Sequence, residues 1–142
     1  MNRRRFIWQK AQAQSGLPEG YTALKYIQSS GTQYIDTGRK LTQDSDITID
    51  FMIVGTKNRN AGIFGSRESA SKNNLALFQD GGSGYFAGDF SEYRQHRFTM
   101  TLISERTKIR MNKAGVWVND ILKKSWSDVA DFETPTNGLI FD

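Results

Sequence analysis

The chain of 142 residues contains no cysteine, only two prolines and a single histidine, His96. The absence of cysteine excludes a disulfide framework, a thiolate metal site and a cysteine nucleophile. One histidine excludes a histidine-rich metal site, and no apolar run approaches the roughly 18 residues of a membrane-spanning helix. The length suits one domain with a short extension, which can bury a core without disulfides or metals. We therefore expect a folded domain that holds no metal or cofactor and does not enter a membrane.

The positive charge of the chain is concentrated at its start. The net charge is +4, and Arg3, Arg4, Arg5 and Lys10 precede every acidic residue. Without these four, 15 of the 19 basic residues remain, which equals the number of acidic residues. A body with balanced charge is not expected to bind nucleic acid specifically.

The same first residues combine cations with large apolar side chains. The residues concerned are Arg3, Arg4, Arg5, Phe6, Ile7 and Trp8. Three apolar residues are too few for the core of a secretory signal. Exposed apolar side chains favour docking, and Arg and Trp often anchor interfaces. We therefore predict that residues 1–16 form a docking arm for a partner protein; a solvated arm and a weak, salt-sensitive phosphate contact are the alternatives.

The remaining sequence has the period-two alternation of half-buried strands. In Asp46–Val54, Ile47, Ile49 and Phe51 alternate with polar residues, and Arg97–Ile103 repeats the pattern. Asn119-Asp120 predicts a two-residue hairpin turn, since both residue types tolerate a positive φ. Shorter strand candidates are Leu24–Ile27, Gln33–Asp36, Gly62–Ser66, Leu75–Gln79, Tyr85–Ala87, Thr107–Met111, Val116–Val118, Ile121–Lys124 and Leu139–Phe141. Such short, regularly spaced strands predict an all-β sandwich or barrel.

One segment is informative through the specific order of its residues: Leu17–Gly38 reads LPEGYTALKYIQSSGTQYIDTG. It resembles the opening of a family of concanavalin A-like (laminin G-like) β-sandwich domains in phage, prophage and gut-bacterial surface proteins. Gly62–Arg67 and Gly138–Phe141 resemble later strands of that family. The resemblance implies an all-β, antiparallel jelly-roll sandwich over residues 17–142. Family members continue with strands that close the sandwich, so we expect either a longer polypeptide or strands supplied by another chain.

The resemblance also implies a function. It indicates a non-enzymatic structural or binding protein of a phage-like virion, in which the arm docks to capsid or tail proteins. The sandwich would then project as a decoration, fibre or adhesion module of an oligomeric assembly formed in the host cytoplasm. The alternative is a carbohydrate-binding module of a bacterial surface protein.

Candidate catalytic groups are few. A glucanase-type sandwich needs two carboxylates on one strand face, and the closest string is Asp44–Asp50, in which Asp46 and Asp50 would share a face. Because the isoleucines between them predict the core-facing side, we interpret these carboxylates as the solvent face of a strand. His96 lies in a polar stretch that predicts an exposed loop, and no G-x-S-x-G motif is present. We therefore predict no catalytic residues.

A glycan site is the remaining possibility. Sugar recognition combines aromatic faces with polar side chains, and Tyr85, Asp89 and Tyr93 offer both between glycine turns. The alternative is that these aromatics pack the sandwich. Asp36, Asp80 and Asp89 are candidate calcium ligands, but they lack the dense acidic spacing of a calcium loop.

Overall fold

The computed structural model describes residues 26–28, 33–54, 60–69, 72–80, 85–101 and 105–140, with the backbone alone at 85–86 and 92–94. The chain divides into two units, Met1–Ser30 and Gly31–Asp142. In the first unit only Tyr26–Gln28 belong to the described residues. They have no regular secondary structure, so the strand expected at Leu24–Ile27 is wrong for its described part. The docking arm lies outside the described residues.

Nine strands make up the described part of the second unit. They are β1 (Ile35–Thr42), β2 (Ile47–Phe51), β3 (Ala61–Ser69), β4 (Lys72–Asp80), β5 (Tyr85–Thr101), β6 (Thr107–Asn112), β7 (Gly115–Val118), β8 (Ile121–Ser125) and β9 (Glu133–Ile140). They form a five-stranded sheet in the order β1-β9-β3-β4-β5 and a four-stranded sheet in the order β2-β6-β7-β8. All pairings are antiparallel. The prediction of an all-β sandwich is confirmed.

The two sheets share one hydrophobic core. Ile47, Ile49 and Phe51 of β2 pack against it while Thr48 and Asp50 are exposed, as the alternation predicted. The buried core consists of Leu41, Ile63, Leu75, Leu77, Phe90, Phe98, Ile109, Met111, Val116, Val118, Trp126 and Phe132. Burial of these side chains is the main favourable contribution to folding.

The turn between β7 and β8 contains the residue types that its backbone geometry requires. The β7–β8 hairpin turns at Asn119 and Asp120, whose φ angles are 50° and 66°. Both angles lie in the left-handed region that a primed hairpin turn requires. Asn119 also accepts a hydrogen bond through its side-chain oxygen from the backbone N–H of Lys108 at 2.9 Å. The predicted hairpin is therefore confirmed, and its turn is tied to β6.

The longest strand, β5, reverses within its own length. Residues eight apart in a continuous strand would be separated by about 26 Å. Yet Asp89 Oδ1 lies 3.4 Å from Arg97 Nε, and a Cβ placed on Gly88 would lie 3.1 Å from the Phe98 ring. The two halves of β5 therefore lie side by side, and the second half contributes Phe98 to the core. This reversal agrees with the prediction of separate strands at Tyr85–Ala87 and Arg97–Ile103.

The expectation for His96 is wrong. Its side chain is only 4% exposed, and Nε2 donates a hydrogen bond to the Ser127 carbonyl at 2.8 Å. The ring meets Trp126 edge-on, with the centroids 5.9 Å apart. His96 shares the period-two face of Phe98 and Met100, and that alternation carries it into the core in spite of its polar neighbours in the sequence.

Candidate functional site

The face of the five-stranded sheet that points away from the core carries polar and small side chains. Backbone pairing places Leu139, Gly65, Ala76 and Asp89 in one row across β9, β3, β4 and β5. Directly paired residues of neighbouring strands project to the same side. Since Leu75 and Leu77 of β4 point into the core, Ala76 and the rest of its row belong to the outer face. Arg97 joins this row through its contact with Asp89.

A cavity of about 500 Å³ follows β3 and β4, and we call it the β3–β4 groove. Its lining includes five residues that the pairing assigns to the outer face: Gly65, Arg67, Ala76, Phe78 and Leu139. The buried Gly65 and the half-buried Ala76 place little side-chain bulk at its floor. Phe78 supplies an aromatic wall, and the exposed Arg67 supplies a positive charge. The groove therefore offers both apolar and charged surface to a ligand.

Gly65 is required by the geometry of this floor. Its φ of +140° is a conformation that residues with a side chain rarely adopt. A Cβ at this position would lie 2.3 Å from the Leu75 carbonyl oxygen and 2.5 Å from the Ala76 Cα. Both contacts are to backbone, so no side-chain rotation could relieve them. The close approach of β3 to β4 beneath the groove thus depends on a residue without a side chain.

A buried carboxylate lies beside the groove. The Asp89 side chain is 1% exposed, and burial raises the pKa of this carboxyl above its ordinary value of 3.8. The positive charges of Arg97 and Arg67 oppose that rise. A buried charge is costly unless it is paired, and Arg97, whose side chain is 14% exposed, is the nearest cation. Asp89 therefore acts as an internal anchor for the arginine beside it.

Arg97 links the buried carboxylate to the aromatic wall. The guanidinium carbon of Arg97 lies over the Phe78 ring, 5.3 Å from its centroid. A cation above an aromatic face is attracted by the ring quadrupole. One contact chain therefore runs from Asp89 through Arg97 to Phe78.

A buried amide stands next to Arg67. Asn74 pairs with Arg67 on β3 and with Ser91 on β5, and its side chain is completely buried. Neither atom of the Asn74 amide has a hydrogen-bond partner among the residues that the structure describes. A buried polar group without a partner is uncommon in folded proteins and calls for an explanation.

Of the carboxylates considered for catalysis, Asp50 lies on β2 of the opposite sheet, and Asp44 and Asp46 lie in the segment before β2. Asp46 forms a two-pronged contact with Arg110, and its Oδ1 accepts from Arg110 Nε at 2.9 Å. Asp50 accepts from Arg106 at 2.7 and 2.9 Å. These hydrogen bonds hold the pKa of both aspartates below the ordinary value of 3.8. The two carboxylates form exposed ion pairs with Arg110 and Arg106, as expected for the solvent face of a strand.

The third of these carboxylates behaves in the same way. Asp44 accepts a hydrogen bond from Lys113 Nζ at 2.8 Å, and this contact lowers the pKa of the carboxyl. Further along the same surface, the Arg110 guanidinium lies 5.4 Å from the Trp117 ring centroid. This side of the molecule is thus a network of exposed charge pairs, which contribute little individually to stability.

The residues predicted for a glycan site are only partly visible. Asp89 lies on the outer face of the five-stranded sheet, whereas the side chains of Tyr85 and Tyr93 lie outside the described residues. The predicted docking residues, Arg3–Trp8, also lie outside them. Sequence reasoning missed Arg67, Asn74 and Phe78, although the alternation of Asn74, Ala76 and Phe78 with the β4 leucines was a usable signal. Their relation to Arg67 depends on strand register, which the sequence does not specify.

Comparison with protein-family models, curated proteins and solved structures finds no match. Within the described ranges, no group of three or more His, Cys, Asp or Glu side chains could hold a metal ion. The same ranges contain no helix long and apolar enough to cross a bilayer. The site must therefore be interpreted from its own geometry.

Proposed function

We propose that the chain is a non-enzymatic structural and binding protein of a phage-like virion, built on a concanavalin A-like sandwich. In this proposal residues 1–16 dock to a capsid or tail protein, and the sandwich projects outward as one copy in an oligomeric assembly. The opening segment Leu17–Gly38 supports the family, and the two antiparallel sheets are compatible with it. The observation that carries the docking role is the separation of charge, with Arg3, Arg4, Arg5 and Lys10 preceding a body of balanced charge.

Deletion of Met1–Lys10 tests the docking role. We expect the shortened chain to be lost from purified particles, because the cationic and aromatic anchors are removed, while far-UV circular dichroism shows an unchanged sandwich. Particle composition is measured by mass spectrometry against the capsid protein. A variant carrying ten Gly and Ser residues in place of Met1–Lys10 controls for length and should also be lost. Normal incorporation of either variant would show that the first ten residues do not dock.

The second candidate is a carbohydrate-binding module of a bacterial surface protein. The β3–β4 groove favours it, because an aromatic wall, a small-residue floor and a nearby cation suit an amphipathic sugar. Cell fractionation distinguishes the two locations. Recovery in purified particles supports the first candidate, and recovery on the intact cell surface supports the second.

A further inference from the structure

We propose that the β3–β4 groove binds an acidic saccharide, with the Arg67 guanidinium contacting a sugar carboxylate and Phe78 contacting an apolar face of the sugar. The inference rests on the proposed binding function but not on the virion location. It names the ligand class and the residues that select it. Arg67 is the specificity-determining residue.

The charge balance at one end of the groove favours an anion. Arg97 and Arg67 are the two cations whose charges act on the Asp89 carboxyl. Arg97 is the closer partner, at 3.4 Å. Two cations against one carboxylate leave one positive charge, and the exposed Arg67 presents it at the groove lining. A ligand carboxylate would neutralise this remaining positive charge and would accept two parallel hydrogen bonds from the Arg67 guanidinium.

The two ends of the groove carry residues of opposite charge. Asp80 lines it as well, six residues along β4 from Asn74, which pairs with Arg67. Six residues of strand span about 20 Å, so Arg67 and Asp80 stand at opposite ends. At that distance solvent ions largely screen the two charges from each other. An extended saccharide would therefore place its acidic unit at the Arg67 end.

The apolar part of the groove suits a sugar ring. Arg97 lies over the half-buried Phe78 ring and is itself 3.4 Å from the Asp89 carboxylate. Gly65 and Ala76 add little side-chain bulk to the groove lining beside this ring. Sugars combine an apolar ring face with polar edges, and such a pairing of surfaces matches both.

The test uses the purified full-length chain on an array of uronic-acid and sialic-acid oligosaccharides, each printed also in its carboxyl-reduced form. We expect binding to at least one acidic oligosaccharide and a loss of about 10- to 100-fold when its carboxylate is reduced, because a charge-assisted hydrogen bond is lost. Arg67→Gln should produce the same loss, and Arg67→Lys an intermediate one. Arg39→Gln, an exposed arginine on β1 that does not line the groove, is the matched control and should bind normally.

Several results would overturn the proposal. These are no binding to any acidic saccharide, equal binding of the carboxyl-reduced forms, or unchanged binding by Arg67→Gln. Phe78→Leu, which keeps an apolar side chain but removes the ring, should weaken binding without removing the preference for acid. Particle incorporation is not measured in this experiment, so its failure and the failure of the docking role are distinguishable.

Discussion

Substitution of Gly65 by alanine should destabilise the sandwich far more than the same substitution at Gly38. Both glycines have a positive φ, +140° and +69°, but nothing lies within 4 Å of a Cβ added at Gly38. Alanine at Gly38 therefore has only the cost of the left-handed conformation, about 1–2 kcal/mol. Alanine at Gly65 has a comparable or larger conformational cost, about 1–3 kcal/mol, and its Cβ would also lie only 2.3 and 2.5 Å from β4 backbone atoms, which is closer than van der Waals contact allows. We expect a loss of about 3–5 kcal/mol in the free energy of unfolding.

Such a loss would be a large part of the 5–15 kcal/mol that stabilises a typical domain. This loss is measured by urea unfolding, monitored through tryptophan fluorescence. The urea concentration at the midpoint and the slope of the unfolding free energy against urea concentration are fitted separately for each variant. A lower midpoint at unchanged slope would show a loss of native stability rather than a change in the unfolded state. If Gly65→Ala and Gly38→Ala differ by less than about 0.5 kcal/mol, the close approach of β3 and β4 at the groove floor is not as described.

Two further predictions concern the core and the buried carboxylate. Phe90→Ala should lower the free energy of unfolding by about 3–5 kcal/mol, because the fully buried Phe90 ring packs edge-on against Phe132 and is stacked on Trp126, with centroid distances of 5.6 and 6.5 Å. Urea unfolding measures this loss. The control is Leu122→Ala, at a side chain 52% exposed, which should change the free energy of unfolding by less than about 0.5 kcal/mol. An equal effect of the two would contradict the assigned core. Asp89→Asn should alter the pH dependence of stability: the folded-state pKa of Asp89 lies above 3.8, so the contribution of the wild-type carboxyl is fully present below pH 3.8 and is lost as the pH rises through the folded-state pKa. The stability of the wild type minus that of Asp89→Asn, measured in urea at several pH values from 3.5 to 7, should therefore fall as the pH rises, and a constant difference would show that burial does not raise the pKa of Asp89.

Much of the fold could be predicted from local pattern. The alternation in β2 arises because successive side chains of a strand point to opposite sides, so a row of Ile47, Ile49 and Phe51 identifies a buried face without any tertiary information. The turn at Asn119 and Asp120 is equally local, since it depends on which residue types tolerate a positive φ. The same logic was available for His96, which lies two residues before Phe98. The polar neighbours of His96 in the sequence favour an exposed loop, but the two-residue alternation of the strand is the stronger signal.

The candidate site was less predictable, because it depends on register. The aromatic surroundings of Asp89 in the sequence favour a glycan site, but the described contact of its carboxylate is with Arg97. Arg97 reaches Asp89 only because β5 reverses between them, and Arg67 meets Asn74 only because β3 and β4 pair in one particular register. A shift by one residue would move each of these side chains to the opposite face.

The sequence by itself therefore determined the class of fold, the positions of most strands, one turn and the concentration of positive charge in the first ten residues. These properties depend on the order of residue types along the chain, so residues that are close together in the sequence are enough to identify them. Only the tertiary structure decided that Gly65 and Ala76 form a floor, that Phe78 and Arg67 stand beside it, and that a carboxylate is buried behind them. These relations join different strands, and strand pairing, which fixes them, is set by packing of the whole sandwich rather than by any local pattern.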